Sequence, residues 1–332
     1  MAREIAEIPH VARRLIDSSD RIDTLVDRIR IARPRVVVVC GRGSSGHVGV
    51  YLRYLFETRV GLLVSAAAPS IVTAYQRPPD MRDALFILVS QSGRSPDLVT
   101  TTEVARSAGA LTLAIVNDEH SPAASGSDLV LPIGAGPEHA VAATKTVALS
   151  MLAGALIVAK LTQDEDLLDA LNRLPDRLQD ALGCDWSDWG HSLVPAAAAF
   201  VAARGYGLGT GREIALKMTE ALRLPALGYS AAELRHGPRA GITPETPVLV
   251  LRQNDESALA VDDLVEDLRQ ENETVFLAGG PLSTLPRIGD DHPICDPIAM
   301  LLPAYNAIEA AARRRGLDPD RPEHLSKVTR TL

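Results

Sequence analysis

Two short turns of the chain are rich in hydroxyl side chains and follow apolar runs that are typical of buried strands. The first turn is GRGSSG at residues 41–46, and the second is SQSGRS at residues 90–95. Backbone N–H groups at the start of a helix, together with hydroxyl groups, can hold a phosphate monoester without a metal ion. We therefore expect an anion site built from both turns, although a serine here could also be a simple helix cap. The side chains concerned are Ser44, Ser45, Ser90, Gln91, Ser92 and Ser95.

The first turn also fits the G-x-G-x-x-G pattern of dinucleotide-binding proteins. Those proteins place Asp or Glu at the end of the second strand to bind ribose, and residues 65–68 contain no acid. The phosphate loop of nucleoside triphosphatases is excluded because His47, not lysine, follows Gly46. A dinucleotide-dependent oxidoreductase therefore stays only as an alternative, and we expect no cofactor.

A second group of residues could move protons. Lys217 and Glu220 are three residues apart in a predicted helix and so share one face. A carboxylate beside an ammonium group stays ionised at neutral pH, as a general base must. The spacing alone favours an ordinary surface ion pair. His236 lies in a loop before Gly237 and Pro238 and could shuttle a proton, but a single histidine is more often structural.

The composition excludes several other classes of protein. A length of 332 residues predicts about two domains, and the composition is that of an ordinary globular protein. A net charge of −8 and only 4 % aromatic residues argue against a nucleic-acid binder. The three cysteines form no CxxC pair and the eight histidines form no HExxH motif, so neither a disulfide nor a metal site is predicted.

The longest apolar run, residues 147–159, is too short to span a bilayer, which needs about 20 helical residues. We expect it to form a buried helix inside the protein. Residues 1–10 carry charges of both signs and do not resemble a signal peptide. Together with the cysteine usage, this predicts a soluble protein of the reducing cytoplasm with no membrane segment.

Short apolar runs alternate with helical stretches, which predicts an α/β fold with parallel sheets. The strand–turn–helix pattern restarts near residue 198: Gly43 lies 14 residues before Glu57, and Gly205 lies 15 before Glu220. This predicts an internal duplication. We expect two domains, residues 1–182 with the N-terminal helices and residues 183–332. The expected strands are 35–40, 62–66, 85–90, 111–116, 129–133, 198–203, 248–251 and 274–277, and the main helices are 1–32, 47–57, 96–107, 144–161, 212–222 and 300–315.

Six motifs in chain order resemble those of the tandem sugar-isomerase (SIS) domain family. They are GRGSS, SQSGRSPD, GPEHAVAATKT, EIALKMTEAL, AAELRHGP and RPEHLSKVTRTL. The chain is most similar to the isomerase half of glucosamine-6-phosphate synthase and to the separate glucosamine-6-phosphate deaminases. The resemblance implies two tandem SIS domains, each a flavodoxin-like or Rossmann-like parallel sheet with helices on both faces.

The resemblance also implies roles for individual residues. Glu220 matches the base that moves a proton between C1 and C2 of the sugar, with Lys217 as its helix partner. His236 matches the ring-opening histidine, which in the synthase comes from the neighbouring subunit, so a homodimer with an interface active site is implied. Lys327, otherwise a solvated charge, matches a C-terminal lysine that can form a Schiff base. The phosphate turns match at Gly43, Ser44, Ser45, Ser90, Gln91, Ser92 and Ser95, and the sugar-lining stretch at Val141, Ala142 and Ala143.

The chain also departs from the synthase pattern. Ala2 stands where a glutaminase domain would begin with cysteine, so we expect no ammonia transfer from glutamine. Ala143 replaces a serine and Arg94 replaces an acid, as in the deaminase branch. The expected reaction converts glucosamine 6-phosphate to fructose 6-phosphate and ammonia. The alternatives are a ketose–aldose isomerase, a fructosamine-phosphate deglycase and a non-catalytic phosphosugar sensor.

Overall fold

The computed structural model describes residues 1–18, 20–271 and 274–327, and these form two compact units. Two helices, α1 (Ala2–Asp17) and α8 (Glu165–Ala181), contain points at which the chain passes from one unit to the other. The predicted boundary between residues 182 and 183 divides the two repeats along the sequence, which is a different division from these compact units, and it stays a prediction. The first unit comprises His10–Glu138, Lys145–Asn172 and the residues Ser326 and Lys327, and the second comprises Met1–Pro9, His139–Thr144 and Arg173–Leu325.

The first unit contains a five-stranded parallel sheet. Its strands are β1 (Val36–Cys40), β2 (Leu63–Ala66), β3 (Ala84–Ser90), β4 (Leu111–Val116) and β5 (Leu129–Pro132). They lie in the order β2-β1-β3-β4-β5. Every residue of the central strand β3 is buried, as expected for an apolar run covered on both faces. All five strands were predicted, with ends that shift by one residue at most.

Helices cover this sheet, and one of them forms the core of the unit. They are α2 (Asp20–Ala32), α3 (Ser44–Leu55), α4 (Pro69–Thr73), α5 (Pro96–Ser107), α6 (Pro122–Ser125) and α7 (Lys145–Thr162). By length and composition α7 could cross a membrane, but 83 % of it is buried within the structure. At Gly154 a Cβ atom would lie 2.1 Å from a methyl of Leu52, so a larger residue there would force this side chain of α3 to shift. The predicted buried core helix is confirmed.

The second unit repeats the pattern with four parallel strands in the order β7-β6-β8-β9. The strands are β6 (Ala199–Ala203), β7 (Ala226–Ser230), β8 (Val248–Leu251) and β9 (Val275–Ala278). The remaining helices are α9 (Ser187–Leu193), α10 (Gly207–Leu222), α11 (Ala231–Arg235), α12 (Ala258–Glu271) and α13 (Asp296–Arg314).

Strand β7 was absent from the predictions, and its sequence explains why. It reads ALGYS, is only partly buried and has no β-branched residue. A Cβ atom at Gly228 would lie 2.7 Å from the Cα atom of Arg212, so glycine is needed where α10 passes close to the strand. The same glycine interrupts the apolar run, so a prediction based on apolar runs misses the strand. Helix α10 also begins at Gly207, five residues before the predicted start.

Candidate functional site

The first hydroxyl-rich turn connects β1 to α3, as predicted. Ser44 is the first residue of α3 and follows Gly43, whose φ of 51° places it in the region that favours glycine. A Cβ atom at Gly41 would lie 2.8 Å from the backbone of Ser45, so the turn is too tight for a side chain there. The hydroxyls of Ser44 and Ser45 are half-buried at the start of a twelve-residue helix. This is the setting in which backbone dipoles and hydroxyl groups favour an anion.

The second turn connects β3 to α5, and one of its serines forms a hydrogen bond within the turn. The buried Ser90 hydroxyl accepts a hydrogen bond of 3.0 Å from the N–H of Gly93. Gly93 has a φ of 61°, and a Cβ atom there would lie 2.1 Å from Oγ of Ser121, so glycine is required. Gln91, Ser92 and Ser95 are half-buried in the same turn.

An ion pair that sequence reasoning missed ties these two turns together. Strands β1 and β3 are parallel neighbours, with Cys40 opposite Leu88, so both turns leave the sheet at the same edge. The Arg42 side chain donates from Nε (3.1 Å) and Nη2 (2.9 Å) to one carboxylate oxygen of Asp97. The buried Asp97 also accepts the N–H of Leu98 at 3.0 Å. The turns are therefore held in register by a side-chain link between residues 55 positions apart.

Lys327 also lies in the first unit. Its ammonium group donates to the buried carboxylate of Glu138 at 2.9 Å, and its side chain is 25 % exposed. Lys327 is therefore not the solvated charge that its position in the sequence alone would suggest, and its catalytic role stays a prediction. Lys145, at the start of α7, is fully buried.

The second unit holds the predicted proton-transfer pair. Lys217 and Glu220 form an ion pair on one face of α10, as their spacing predicts. The lysine is fully buried, so this is not the surface pair that spacing alone favours. Glu213 lies on the other side, 3.5 Å from the Lys217 amine, and accepts a 3.3 Å hydrogen bond from the Tyr305 hydroxyl. One buried ammonium group thus stands between two carboxylates, of which only Glu220 reaches solvent, with 21 % of its side chain exposed.

The stretch Val141–Ala143 belongs to the second unit as well. Ala142 is buried, while Val141 and Ala143 are half-buried. The stretch is held at one end by Glu4, whose carboxylate accepts the N–H groups of His139 and Ala140. The N–H of Val141 donates to the carbonyl of Asp320 at 3.0 Å.

His236 follows α11 and is exposed. The arginines on either side of it hold its loop against α12. Arg235 donates to the carboxylate of Asp267, and Arg239 donates to the carbonyl of Asp267 at 3.1 Å and pairs with Glu271 at 2.9 Å. His236 therefore lies on a loop that two arginines attach to α12.

The next feature is the placement of the possible metal-ligating side chains and of two buried cysteines in the part of the chain that the structure describes. Within residues 1–18, 20–271 and 274–327, no three His, Cys, Asp or Glu side chains are grouped so as to hold a metal ion. Burial raises the pKa of the Cys40 thiol to about 12, and burial also raises that of Cys295. Both thiols stay protonated at neutral pH and are poor nucleophiles.

Comparison with known proteins identifies the fold that carries these residues. A family model described as "SIS domain" matches residues 30–160 and 192–299. The chain belongs to the SIS domain family. The two matched segments agree with the predicted pair of SIS domains, and each corresponds to one of the two parallel sheets.

Individual SIS relatives cover the chain almost completely. It is 30 % identical, over 98 % of its length, to the glutamine–fructose-6-phosphate aminotransferase (isomerizing) of Symbiobacterium thermophilum, and spans 58 % of that protein. A protein of Silicibacter pomeroyi DSS-3, provisionally named a phosphosugar isomerase, is 35 % identical over 96 % of this chain and 99 % of its own, with a TM-score of 0.90. The Thermotoga maritima glucosamine-6-phosphate deaminase, at 22 % identity over 99 % of both chains, shares the fold with a TM-score of 0.81. The chain thus spans a little over half the length of the curated aminotransferases that it matches.

Proposed function

We propose that this SIS protein is a phosphosugar enzyme that converts glucosamine 6-phosphate and water to fructose 6-phosphate and ammonia. The observation that carries the proposal is the buried Lys217, which holds Glu220 as the one carboxylate of its group with access to solvent. A general base needs an ionised carboxylate within reach of the substrate and a fixed orientation. The buried ammonium group supplies the charge and the orientation.

The reaction can be written with balanced proton transfers. His236 assists opening of the sugar ring, which exposes the C1 aldehyde. Glu220 removes the proton from C2 while a proton passes from the C2 ammonium group to O1, giving an enolamine, and Glu220 then returns its proton to C1, giving a protonated imine at C2. Water adds to the imine carbon, and the carbinolamine expels ammonia to leave the C2 ketone of fructose 6-phosphate. Lys217 stabilises the charge that develops on O1 while the enolamine exists.

The two turns of the first unit provide the proposed phosphate site. Ser44 and Ser45 stand at the start of α3, and Ser92 and Ser95 precede α5, so hydroxyl groups and helix starts lie at one edge of one sheet. Neutral donors of this kind bind a phosphate dianion despite the net charge of −8 on the whole chain. The sugar is proposed to lie along Val141–Ala143.

We also propose that the active form is a homodimer in which His236 serves the neighbouring subunit. The exposed position of His236 on a braced loop supports this. Mixing the inactive variants Glu220→Gln and His236→Ala tests it. Activity restored on mixing, through dimers that contain one intact set of residues, is the expected result. Two variants that stay inactive in freshly exchanged mixtures contradict it.

The reaction itself is tested with the purified chain and glucosamine 6-phosphate. Ammonia and fructose 6-phosphate should appear in equal amounts, and in D₂O deuterium should enter the product at C1. Absence of ammonia at every enzyme concentration would refute the deaminase. The cytoplasmic location stays a prediction.

An aldose–ketose isomerase is the second candidate, and the 35 % identity to the Silicibacter protein favours it. It would interconvert glucose 6-phosphate and fructose 6-phosphate, with hydrogen exchange at C1 or C2 and no release of ammonia. A fructosamine-phosphate deglycase would release a free amine from its own substrate only. A sensor would bind sugar phosphates without any exchange of hydrogen.

A further inference from the structure

Lysine is scarce in this chain, and where it occurs is informative. Only four of the 34 basic residues are lysines, namely Lys145, Lys160, Lys217 and Lys327. Arginine keeps its charge under all conditions, whereas a lysine amine is compact and can lose its proton. Lys145 and Lys217 are fully buried, and the side chains of Lys160 and Lys327 are 17 % and 25 % exposed. Lys160 pairs with the exposed carboxylate of Asp23, whereas Lys327 pairs with a carboxylate that is fully buried.

That partner, Glu138, is a carboxylate with no exposed surface. One of its oxygens accepts the backbone N–H of Thr146 at 3.1 Å. The other accepts the Thr146 hydroxyl and the Lys327 amine, each at 2.9 Å. Because Thr146 is the second residue of the eighteen-residue helix α7, the carboxylate also lies at the positive end of that helix.

The hydrogen bonds from Thr146 and the one from Lys327 differ in how easily they can break. The two Thr146 donors belong to the regular helix α7, which begins only seven residues after Glu138. A buried carboxylate that keeps these two donors and a helix start is compensated in part even when the Lys327 amine leaves. Lys327 has a quarter of its side chain exposed, so its amine is the donor that can exchange with solvent.

We propose that Glu138 is a positioning residue that docks Lys327 by holding its amine. The effect of this contact on catalysis rests on the proposed function, because the contact sets the position of the Lys327 amine before the sugar phosphate binds. Glu138 itself does not touch the reacting atoms. It acts through Lys327, and Thr146 fixes its direction.

Docking is measured without any substrate by limited digestion with a protease that cleaves only after lysine. Cleavage after Lys327 removes five residues, and intact mass follows it. We expect Glu138→Gln to speed this cut by about tenfold, because an amide loses the charge that holds the amine. Glu138→Asp, which keeps the charge but is one methylene shorter, should give a smaller increase and decides the matter if the amide variant does not fold. Cleavage after the buried Lys217 reports unfolding and should stay unchanged. An equal rate at Lys327 in all three proteins, or a parallel rise at Lys217, would overturn the proposal.

Kinetics then separate positioning from a structural role. With glucosamine 6-phosphate we expect kcat to fall by a similar factor in Glu138→Gln and Lys327→Met, with little further loss in the double variant, since both act through one amine. The affinity for inorganic phosphate should not change. Independent, multiplying losses would refute the link. If the wild type turns over no sugar phosphate, the proposed function fails, and the digestion result still decides the docking.

Discussion

Both units contain the same strand–turn–helix arrangement after the first strand of their sheet, which we call the corner. The side chains at the two corners differ in charge. In the first unit, the turn after β1 presents Ser44 and Ser45. In the second, the turn after β6 lies beside Asp255, whose carboxylate accepts the N–H (2.9 Å) and the hydroxyl (2.6 Å) of Ser257. A Cβ atom at Gly205 in that turn would lie 3.2 Å from Asp255. Both units therefore share this corner, but in the second unit a carboxylate stands beside the turn.

The glutamates that follow these turns differ between the units as well. Glu57 and Glu220 follow the glycine turns at nearly equal spacing in the two halves. Glu57 accepts hydrogen bonds of 3.1 Å from Arg53 and from the N–H of Val64, so it braces the start of β2. Glu220 is held by a buried lysine instead. The duplicated position has a structural role in one unit and the proposed catalytic role in the other.

The largest effect is expected from changing these two glutamates in parallel. Glu220→Gln should lower kcat by about 10²–10⁴, because the amide cannot accept the C2 proton. Glu57→Gln is the matched control and should keep kcat near the wild-type value. Steady-state release of ammonia from glucosamine 6-phosphate measures both. Equal losses in the two variants would remove the distinction between the units.

The anion preference of the two corners is tested next. Ser45→Ala should raise the Kd for inorganic phosphate by roughly 10–100-fold, since a hydrogen bond to a charged group is lost. Ser257→Ala, in the corner that already holds a carboxylate, should leave this Kd unchanged. Isothermal titration with phosphate gives both values. A larger rise in the phosphate Kd for Ser257→Ala than for Ser45→Ala would contradict an anion site in the first unit.

The parts of the fold that depend on local pattern were predictable from the sequence. The buried strands are β-branched or apolar runs, and the hydroxyl-rich turns follow them directly, so the positions of both in the fold were predicted correctly. The Lys217–Glu220 contact follows from helical spacing and is also confirmed. The burial of Lys217 was not predictable, because it depends on the elements that pack around α10.

The features that were missed depend on residues far apart in the chain. Arg42 and Asp97 are 55 residues apart, and Glu138 and Lys327 are 189 apart. The local sequence gives only one weak signal for these carboxylates, the place of Asp97 in the first turn of a helix just after a serine-rich turn. Only the tertiary structure shows which cation each of them meets.

Each unit also has a buried aspartate at a helix start that pairs with an arginine, and the second unit's pair should be sensitive to pH. Asp296 accepts from Arg177 at 2.9 Å. Burial raises the pKa of Asp296 from 3.8 to about 6, against the opposing effect of Arg177. Between those two pH values the folded state binds more protons at this site than the unfolded state, so its contribution to stability falls as pH rises.

Asp296→Asn tests this, because the amide cannot ionise. Relative to the variant, the wild type should lose about 1–3 kcal/mol of unfolding free energy between pH 4 and pH 7. Urea denaturation at a series of pH values gives the difference. Parallel pH profiles for the two proteins would show that Asp296 does not titrate in this range.

The smallest effect is expected at the rim of the first unit's anion turns. Arg94 pairs with Asp118 at 2.7 Å, and hydrogen bonding to Arg94 lowers the pKa of Asp118, so the pair adds no net charge beside the turns. Arg94→Gln leaves the Asp118 charge unbalanced, and it should raise KM for a sugar phosphate by about twofold to fivefold at low salt. Asp118→Asn should lower KM by a similar factor, because it leaves the arginine charge instead. Both effects should shrink as salt screens them. If both variants moved KM in the same direction, the cause would be the shape of the turn and not its charge.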